Sequence, residues 1–436
     1  MNNRSLSYHL ILSLLTCTPG LTQAASGEFS TLTYNVAGLP ELLSSAESDR
    51  QSATEQIGCY VNEFSFVNVQ EDFNYHAALY DTCNDHPYRS PTSGGIPFGS
   101  GLNSMSRFYY MDWARVSWND CNGVDCLTPK GFTLARVRLE EGVYVDIYNL
   151  HAQAQVEEAD LSARRKNILQ LADYIESNST GNAVIVMGDT NTRYTRAGDN
   201  MGELLDHGFT DVWVNLVRYG NVPAPGADAL VCSPLVTSAT CEIVDKVLFR
   251  DNGYVGLDAV NYEVREDAYN AAGQALSDHP PVQADWTYNT PADRRMSDQW
   301  GGPHGTAFND VSLIPDNPRV STLTLRSGSR VDRVEIALSN SAVFSHGGNG
   351  GNESSLTLNS GEYLSSVRLC SAKHNDLTRI FYTRFTTSAG RTLAGGSTTS
   401  DCTTYTAPGG WQIVGFHGRS GNEVDKLGVI YTPTAP

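Results

Sequence analysis

Positive charge is scarce in this 436-residue sequence: 30 Lys and Arg stand against 48 Asp and Glu, a formal net charge of −18. Such a surface repels phosphate polyanions at long range and argues against a basic nucleic-acid groove. It leaves room for a small phosphate held by a cation, because the ion supplies positive charge locally. Long apolar runs are lacking as well. The run Leu10-Ile11-Leu12-Ser13-Leu14-Leu15 is too short to cross a bilayer. With Arg4 before it and Thr22-Gln23-Ala24-Ala25 after it, residues 1–25 read as a secretory signal, and the mature chain is expected to be soluble and extracellular. Clusters of Cys and His at zinc spacing are missing too. Of the nine cysteines, Cys17 would leave with the signal. The remaining even number reads as disulfides, and the close pairs suggest Cys59–Cys83, Cys121–Cys126, Cys232–Cys241 and Cys370–Cys402.

What the sequence does contain divides in two. The length exceeds one ordinary core, so two domains are expected. To about residue 290 strand-like and helix-like patterns alternate. Strands are predicted at Phe29–Val36, Phe66–Glu71, Phe132–Leu139, Val143–Leu150 and Val282–Trp286, and helices at Ser48–Asn62 and Glu157–Asn178. The Gly-, Pro-, Asn- and Tyr-rich stretch 72–101 is expected to be loop. In the longer helix, Leu161, Ile168, Leu169, Leu171, Ala172 and Ile175 suit one face, with Arg164, Arg165 and Lys166 outside. Residues 290–295 look like a linker. From Gln299 to Tyr431 short strands alternate with Gly-rich turns, the pattern of an all-β module.

The first half is organised around Val184-Ile185-Val186-Met187-Gly188-Asp189-Thr190-Asn191. Four apolar residues suit a strand covered on both faces. The run stops at Gly188, and Asp189 and Asn191, at period two, are expected to leave the strand end on the same side. Asp, Thr, Asn and Gly are also ordinary turn residues, so this stretch alone decides nothing. Its company does. Asn35, Glu71, His151, Asp278 and His279 share the same address, the end of a predicted strand, which is where α/β sheets place their sites.

Taken in order, Tyr34-Asn35-Val36, Gln70-Glu71, Ser106-Arg107-Phe108, Asn149-Leu150-His151, Gly188-Asp189-Thr190-Asn191, Asp245 in its strand and Ser277-Asp278-His279 resemble the endonuclease/exonuclease/phosphatase superfamily over residues 28–290. The resemblance implies an α/β four-layer sandwich of two packed mixed sheets flanked by helices, and metal-dependent hydrolysis of a phosphoric ester. Asn35, Glu71 and Asp278 would then be the metal residues, for magnesium or another divalent cation. His279 would be the general base and Asp245 would fix its tautomer. Asp189 would position the attacking water, with Asn191 and His151 bonding the phosphoryl oxygens. Pro129-Lys130-Gly131-Phe132, His151-Ala152-Gln153-Ala154 and Tyr34-Asn35-Val36-Ala37-Gly38-Leu39-Pro40 are similar to motifs of secreted neutral sphingomyelinases. That points to a sphingolipid or phospholipid head group, with peripheral membrane contact, although no long aromatic hairpin is evident.

In the second half, Gln299-Trp300-Gly301-Gly302-Pro303, the glycine-rich His346–Gly351 segment and Gly421-Asn422-Glu423-Val424-Asp425 resemble jacalin-type lectins over residues 297–433. The resemblance implies a β-prism that binds glycans, with Gly302, Gly421, Asn422, Glu423, Val424 and Asp425 at the sugar. A carboxylate accepting from two hydroxyls while loop N–H groups donate suits a vicinal diol. The resulting expectation is a secreted phosphodiesterase carried to glycans. A secreted deoxyribonuclease, an inositol-phosphate phosphatase, and a carbohydrate-binding protein with an inactive enzyme domain are the alternatives.

Overall fold

The computed structural model describes residues 24–231 and 238–434. Its first half is built on twelve strands: β1 Ser26–Asn35, β2 Phe66–Gln70, β3 Tyr88–Arg89, β4 Asn103–Ser106, β5 Tyr110–Ser117, β6 Gly131–Glu140, β7 Val143–His151, β8 Ala183–Asp189, β9 Thr210–Asp211, β10 Asp245–Arg250, β11 Gly256–Val264 and β12 Val282–Asn289. They form two six-stranded sheets, ordered β11-β12-β1-β2-β4-β3 and β5-β6-β7-β8-β10-β9. Each is mixed, since β1 pairs with β2 and β7 with β8 in parallel while their neighbours run antiparallel. Every residue of β2 and of β8 is buried, as an apolar central strand covered on both faces requires. Amides stitch the facing sheets together: Asn68 Nδ2 donates to the Tyr148 carbonyl at 3.1 Å and Asn149 Nδ2 to that of Val69 at 2.9 Å.

Helices close the outer faces. Ala53 and Ile57 of α1 (Arg50–Tyr60) and Leu79 of α2 (His76–Asp81) share a core with Leu32, Val67 and Val69 of the first sheet. Ile168, Leu171, Ala172 and Ile175 of α3 (Glu158–Asn178) pack with the second sheet. The result is the expected four-layer sandwich. α1 begins at Asp49, whose carboxylate accepts from Ser52 N, and α3 begins with a capping box between Glu157 and Asp160.

Local differences from the sequence reading have physical causes. The stretch expected to be loop holds α2 and β3, both too short to show periodicity. β11 was not foreseen, because a bulge between Ala259 and Asn261 breaks its alternation. Arg164 is buried rather than outside: it pairs with Asp199 at 2.8 Å and donates to the Gln153 carbonyl at 2.8 Å. Leu169, assigned to the apolar face, is exposed.

The second half is all β. Its four-stranded sheet takes the strands 343–347, 331–338, 320–327 and 352–357 in that order. Its nine-stranded sheet is joined across Leu364 and Ile413 alone, so it behaves as two faces, and three faces make a prism. Arg295, read as linker, already lies in a strand with Met296 that pairs with Tyr431 and Ile430. Three of the expected disulfides are present, Cys59–Cys83, Cys121–Cys126 and Cys370–Cys402. The fourth, Cys232–Cys241, involves a position outside the described residues.

The halves are bolted together. Asp298 accepts from Arg138 at 2.8 and 2.9 Å and from the Tyr144 hydroxyl at 2.8 Å. Buried Asp112 is held by Arg136 at 2.8 Å from its own half and by Lys426 from the other, with Arg419 at 3.8 Å. Burial alone would raise the Asp112 pKa; Arg136 and Lys426 outweigh it and hold the carboxyl below its ordinary value. Removing one member of such a set leaves buried charge uncompensated, typically at about 3–5 kcal/mol.

Candidate active site

Register explains why distant residues meet. Across β7, β8 and β10, His151 lies opposite Asp189 and Asp189 opposite Asp245. In the other sheet, Asn35 lies opposite Gln70, and Glu71 follows directly. The run-in to β12 brings Asp278 and His279 to the same end. Gly188 permits the close packing, for a Cβ there would sit 2.2 Å from the Leu150 carbonyl oxygen.

At the centre His279 Nδ1 is 2.8 Å from Asp245 Oδ2, and His279 Nε2 faces Asp189 Oδ2 at 3.8 Å. Asn35 Nδ2 bridges two carboxylates, donating to Asp189 Oδ2 at 3.2 Å and to Glu71 Oε1 at 3.1 Å. His151 Nε2 stands 3.4 Å from Asp189 Oδ2 and 4.0 Å from Glu71 Oε1. Asp189 ends its strand, and Asn191 turns back rather than continuing at period two: its N–H donates to Asp189 Oδ1 at 3.0 Å and its Nδ2 to the Ala152 carbonyl at 3.2 Å. Seven of the eight residues singled out in this half therefore meet in one cluster at the same end of the two sheets. Asp278 does not join them; it is exposed, and its Oδ2 accepts from Ser45 Oγ at 2.5 Å.

Two backbones are bent to make the site. Asn191 has φ +51° and Glu71 has φ +58°. Asn tolerates the left-handed region, but Glu does not, so Glu71 carries strain of about 1–2 kcal/mol. The same turn is crowded by Gly101, at φ +70°, where a Cβ would come within 3.0 Å of the Glu71 Cα.

The electrostatics follow. Burial drives the Asp189 pKa up to about 6, with His279 opposing and Asp245 reinforcing. Burial opposes charge on His279, yet Asp245 and Asp189 outweigh it and hold its pKa well above the ordinary value. His279 and Asp189 therefore compete for one proton. His151 goes the other way: burial, then Lys130, push its pKa well below the usual range, so it is neutral.

Lys130 was noticed in the sequence only as part of a motif, yet it belongs here. Its Nζ is 3.0 Å from His151 Nε2 and 2.9 Å from Asp125 Oδ1. An ammonium has no lone pair, so Lys130 must donate to His151. As placed, His151 Nε2 is an acceptor and offers no proton to a phosphoryl oxygen. The Cys121–Cys126 loop carries Asp125. Only the folded loop shows this pairing; a lysine five residues after an aspartate is no signal in itself.

Hard oxygen donors suit a divalent cation that keeps several waters. Glu71 fits, being partly exposed, with the neutral His151 ring 4.0 Å from its Oε1. Asn35 Oδ1 accepts from the Ala37 N–H at 3.1 Å while its Nδ2 faces Glu71 and Asp189; a cation between those carboxylates would turn the amide toward itself at the cost of that bond. Asp189, Asp245 and His279 offer ligand atoms within 4.8 Å of one another, but their mutual bond at Asp245 already commits that group to orienting the imidazole.

In the second half, Gly302, Gly421, Asn422, Glu423, Val424 and Asp425 gather at one end. Gly302 N donates to the Asp425 carbonyl at 2.9 Å, and Gly421 N to that of Glu423 at 2.9 Å. The Asp425 side chain is buried and ion-paired with Arg379, and Glu423 pairs with Arg330, 2.7 Å from its Nε. The sequence reading did not foresee Arg379, which comes from a strand nearly fifty residues earlier. It also passed over Gly328-Ser329-Arg330-Val331-Asp332, a second Gly-x-x-Val-Asp loop, whose Asp332 Oδ2 accepts from Gly328 N at 3.0 Å.

Known families match the chain in two separate stretches. Residues 44–234 match the model of the Endonuclease/Exonuclease/phosphatase family 2, and residues 297–430 match that of the jacalin-like lectin domain. Sphingomyelinases of Mycobacterium bovis and Mycobacterium tuberculosis are 39% identical over 278 residues, which is 61% of this chain and 54% of theirs. The chain thus spans about half the length of those relatives. Horcolin of Hordeum vulgare is 29% identical over 140 residues, 31% of this chain and 94% of its own. Among solved structures, sphingomyelinase C from Streptomyces griseocarneus aligns with 59% of this chain and 99% of its own, at 19% identity and a TM-score of 0.45.

Proposed function

Because the chain joins an endonuclease/exonuclease/phosphatase domain to a jacalin-like lectin domain, we propose that it is an extracellular, magnesium-dependent phosphodiesterase that acts on a sphingolipid or phospholipid head group and is held near glycans by its second domain. The observation that carries the reading is the His279–Asp245 pair facing Asp189, with Glu71 and Asn35 in the same cluster. The 39% identity to sphingomyelinases supports the lipid head group over DNA, as does the net charge of −18. The three disulfides favour an oxidising, extracellular setting.

In this reading Glu71 and Asn35 hold the cation, which supplies positive charge against the phosphoryl oxygens. Asp189 accepts from the attacking water and aligns it. His279, oriented by Asp245 and unprotonated at Nε2 when the water arrives, takes the water's proton there, and Asp245 and Asp189 stabilise the imidazolium that results. Lys130 turns from His151 to a phosphoryl oxygen, which frees His151 Nε2; Asn191 Nδ2 serves the other side. Asp278 acts from outside, as a charge near His279 rather than as a ligand.

The direct test supplies purified protein and magnesium with sphingomyelin, DNA, inositol phosphates and nitrophenyl phosphoesters. Release of a phosphorylated head group from sphingomyelin is the expected result; hydrolysis of DNA alone would overturn the substrate, and inertness toward all four would favour a binding protein with a silent first domain. For the second domain, Asp425→Ala is expected to abolish retention on mannose- or galactose-type matrices. Glycans reach that carboxylate only if Arg379 yields it, so unchanged retention of the folded variant would place the sugar elsewhere.

A further inference from the structure

Arg50 opens α1 and is fully buried. A buried guanidinium is usually met by a carboxylate, because a charge taken out of water needs compensation. Among the described residues this one bonds to no carboxylate. Its donors go to the chain on either side of the candidate active site. Nε donates to the Ala37 carbonyl at 3.0 Å and Nη2 to that of Val36 at 2.6 Å, in the turn that follows Asn35. Nη1 donates to the Leu276 carbonyl at 2.9 Å, in the run-in to His279, and to Ser48 Oγ at 3.0 Å. Ser48 Oγ passes the link on to the Ala275 carbonyl at 2.7 Å. A second tie runs alongside, since Ser277 Oγ donates to the Asn35 carbonyl at 2.6 Å.

The turn so held does not hold itself. Ala37 has φ +47°, a left-handed conformation that costs a residue with a Cβ about 1–2 kcal/mol. Such a residue persists only where its surroundings over-determine it. The Ala37 N–H donates to Asn35 Oδ1 at 3.1 Å, which leaves Asn35 Nδ2 to face Asp189 Oδ2 at 3.2 Å. His279 Nε2 faces that same oxygen at 3.8 Å. Asp189 and Asp245 belong to the second sheet, whereas Asn35 and His279 both reach them from the first.

We propose that Arg50 is a positioning residue: it locks the turn after Asn35 to the run-in of His279, so that the amide and the imidazole keep one spacing about Asp189. The proposal rests on the phosphodiesterase reading above and supplies the part that holds its geometry. The fork shape of the guanidinium is what the task needs. Its five N–H groups lie in one plane and reach carbonyls of both segments at once, whereas an ammonium is a point with three donors. Neutral carbonyls as partners bind the chain itself rather than one mobile side chain, which is why the lock fixes backbones that Asp245 cannot.

The experiment compares Arg50→Lys and Ser277→Ala with the wild type in the full chain. It reads kcat and KM on bis(4-nitrophenyl) phosphate and, in metal-free protein, the low-field proton resonance of His279 Nδ1–H bonded to Asp245, assigned by its loss in His279→Ala. Arg50→Lys should lower kcat by about 10–100-fold, the range for groups that act through a reacting residue, with KM changed far less. It should also broaden or shift the low-field resonance. Ser277→Ala, which deletes only a hydroxyl, should move both readouts the same way by a smaller factor. Arg89→Lys is the control. The Arg89 guanidinium likewise donates to three carbonyls, those of His86, Tyr80 and Asn84, at 3.0, 2.7 and 2.6 Å. It lies opposite Met105 and thus toward Val67, at the end of β2 away from Glu71. That variant should lower the denaturation midpoint and leave kcat and the resonance unchanged. A folded Arg50→Lys protein with wild-type kcat and resonance would overturn the lock and make Arg50 a stabilising residue only. If Arg50→Lys does not fold, an unchanged Ser277→Ala protein would do the same. A wild type inert toward every ester, with the resonance still altered in the variants, would remove the enzymatic reading and leave the lock standing.

Discussion

His279→Ala is expected to lower turnover of a phosphodiester by roughly two to four orders of magnitude, the range for loss of a positioned general base. The fold predicts this rather than a modest effect because nothing else can take over. His151, the other imidazole at the mouth, is neutral and has its Nε2 occupied by Lys130 at 3.0 Å. Asp189 has a pKa of about 6 and lies 3.8 Å from His279, but in the proposed mechanism it is already engaged in aligning the water. The ring of His279 is only partly buried, so its removal opens space toward solvent rather than a sealed cavity, and the variant should keep its circular dichroism spectrum. Steady-state kinetics on that folded variant decides the matter: near-normal turnover would assign the base to another group.

A second large effect is expected at Glu71. Chelation with EDTA should stop the reaction and magnesium should restore it, whereas Glu71→Gln should cut activity by about a hundredfold or more and raise the magnesium needed, since second-sphere changes alone cost 10–100-fold in comparable sites. The backbone offers an independent check. Glu71 sits at φ +58°, where glycine is at ease and glutamate is not. Glu71→Gly should therefore abolish activity yet stabilise the fold by about 1 kcal/mol, visible as a higher denaturation midpoint. A Glu71→Gly protein less stable than the wild type would show that the turn is not strained, and activity surviving exhaustive chelation would remove the metal from the mechanism.

Much of the site was legible because buried strands write themselves plainly. Val184–Met187 is an apolar run and Phe66–Val69 is apolar but for Asn68, and the polar residues that follow them have nowhere to go but the rim. What escaped the sequence depends on loops and on cross-strand register. Lys130 joins the site through a disulfide-closed loop that sets Asp125 beside it. Asp278, which the resemblance offered as a metal contact or an electrostatic partner, turns its carboxylate to Ser45, because neighbours in sequence can point apart. Arg379 covers Asp425 because two strands far apart in sequence, and not paired in a sheet, pack against each other, and no spacing rule records that. β11 was lost to a single bulged residue. The second Gly-x-x-Val-Asp loop, by contrast, was present in the letters and could have been found by comparing the second half with itself.

The clasp between the halves, with Asp112 gripped by Arg136 and Lys426 and Asp298 by Arg138 and Tyr144, turns the molecule into a caliper. A leash lets two binding ends search many separations, each with modest gain; stiff jaws give a large gain at one separation and none at others. If the first half acts on a lipid and the second holds a glycan, as proposed, sugars standing at the wrong height above a bilayer would hold the mouth clear of that lipid. Catalysis on a cell surface would then depend on how tall that surface's glycans are, a length that neither jaw can measure alone.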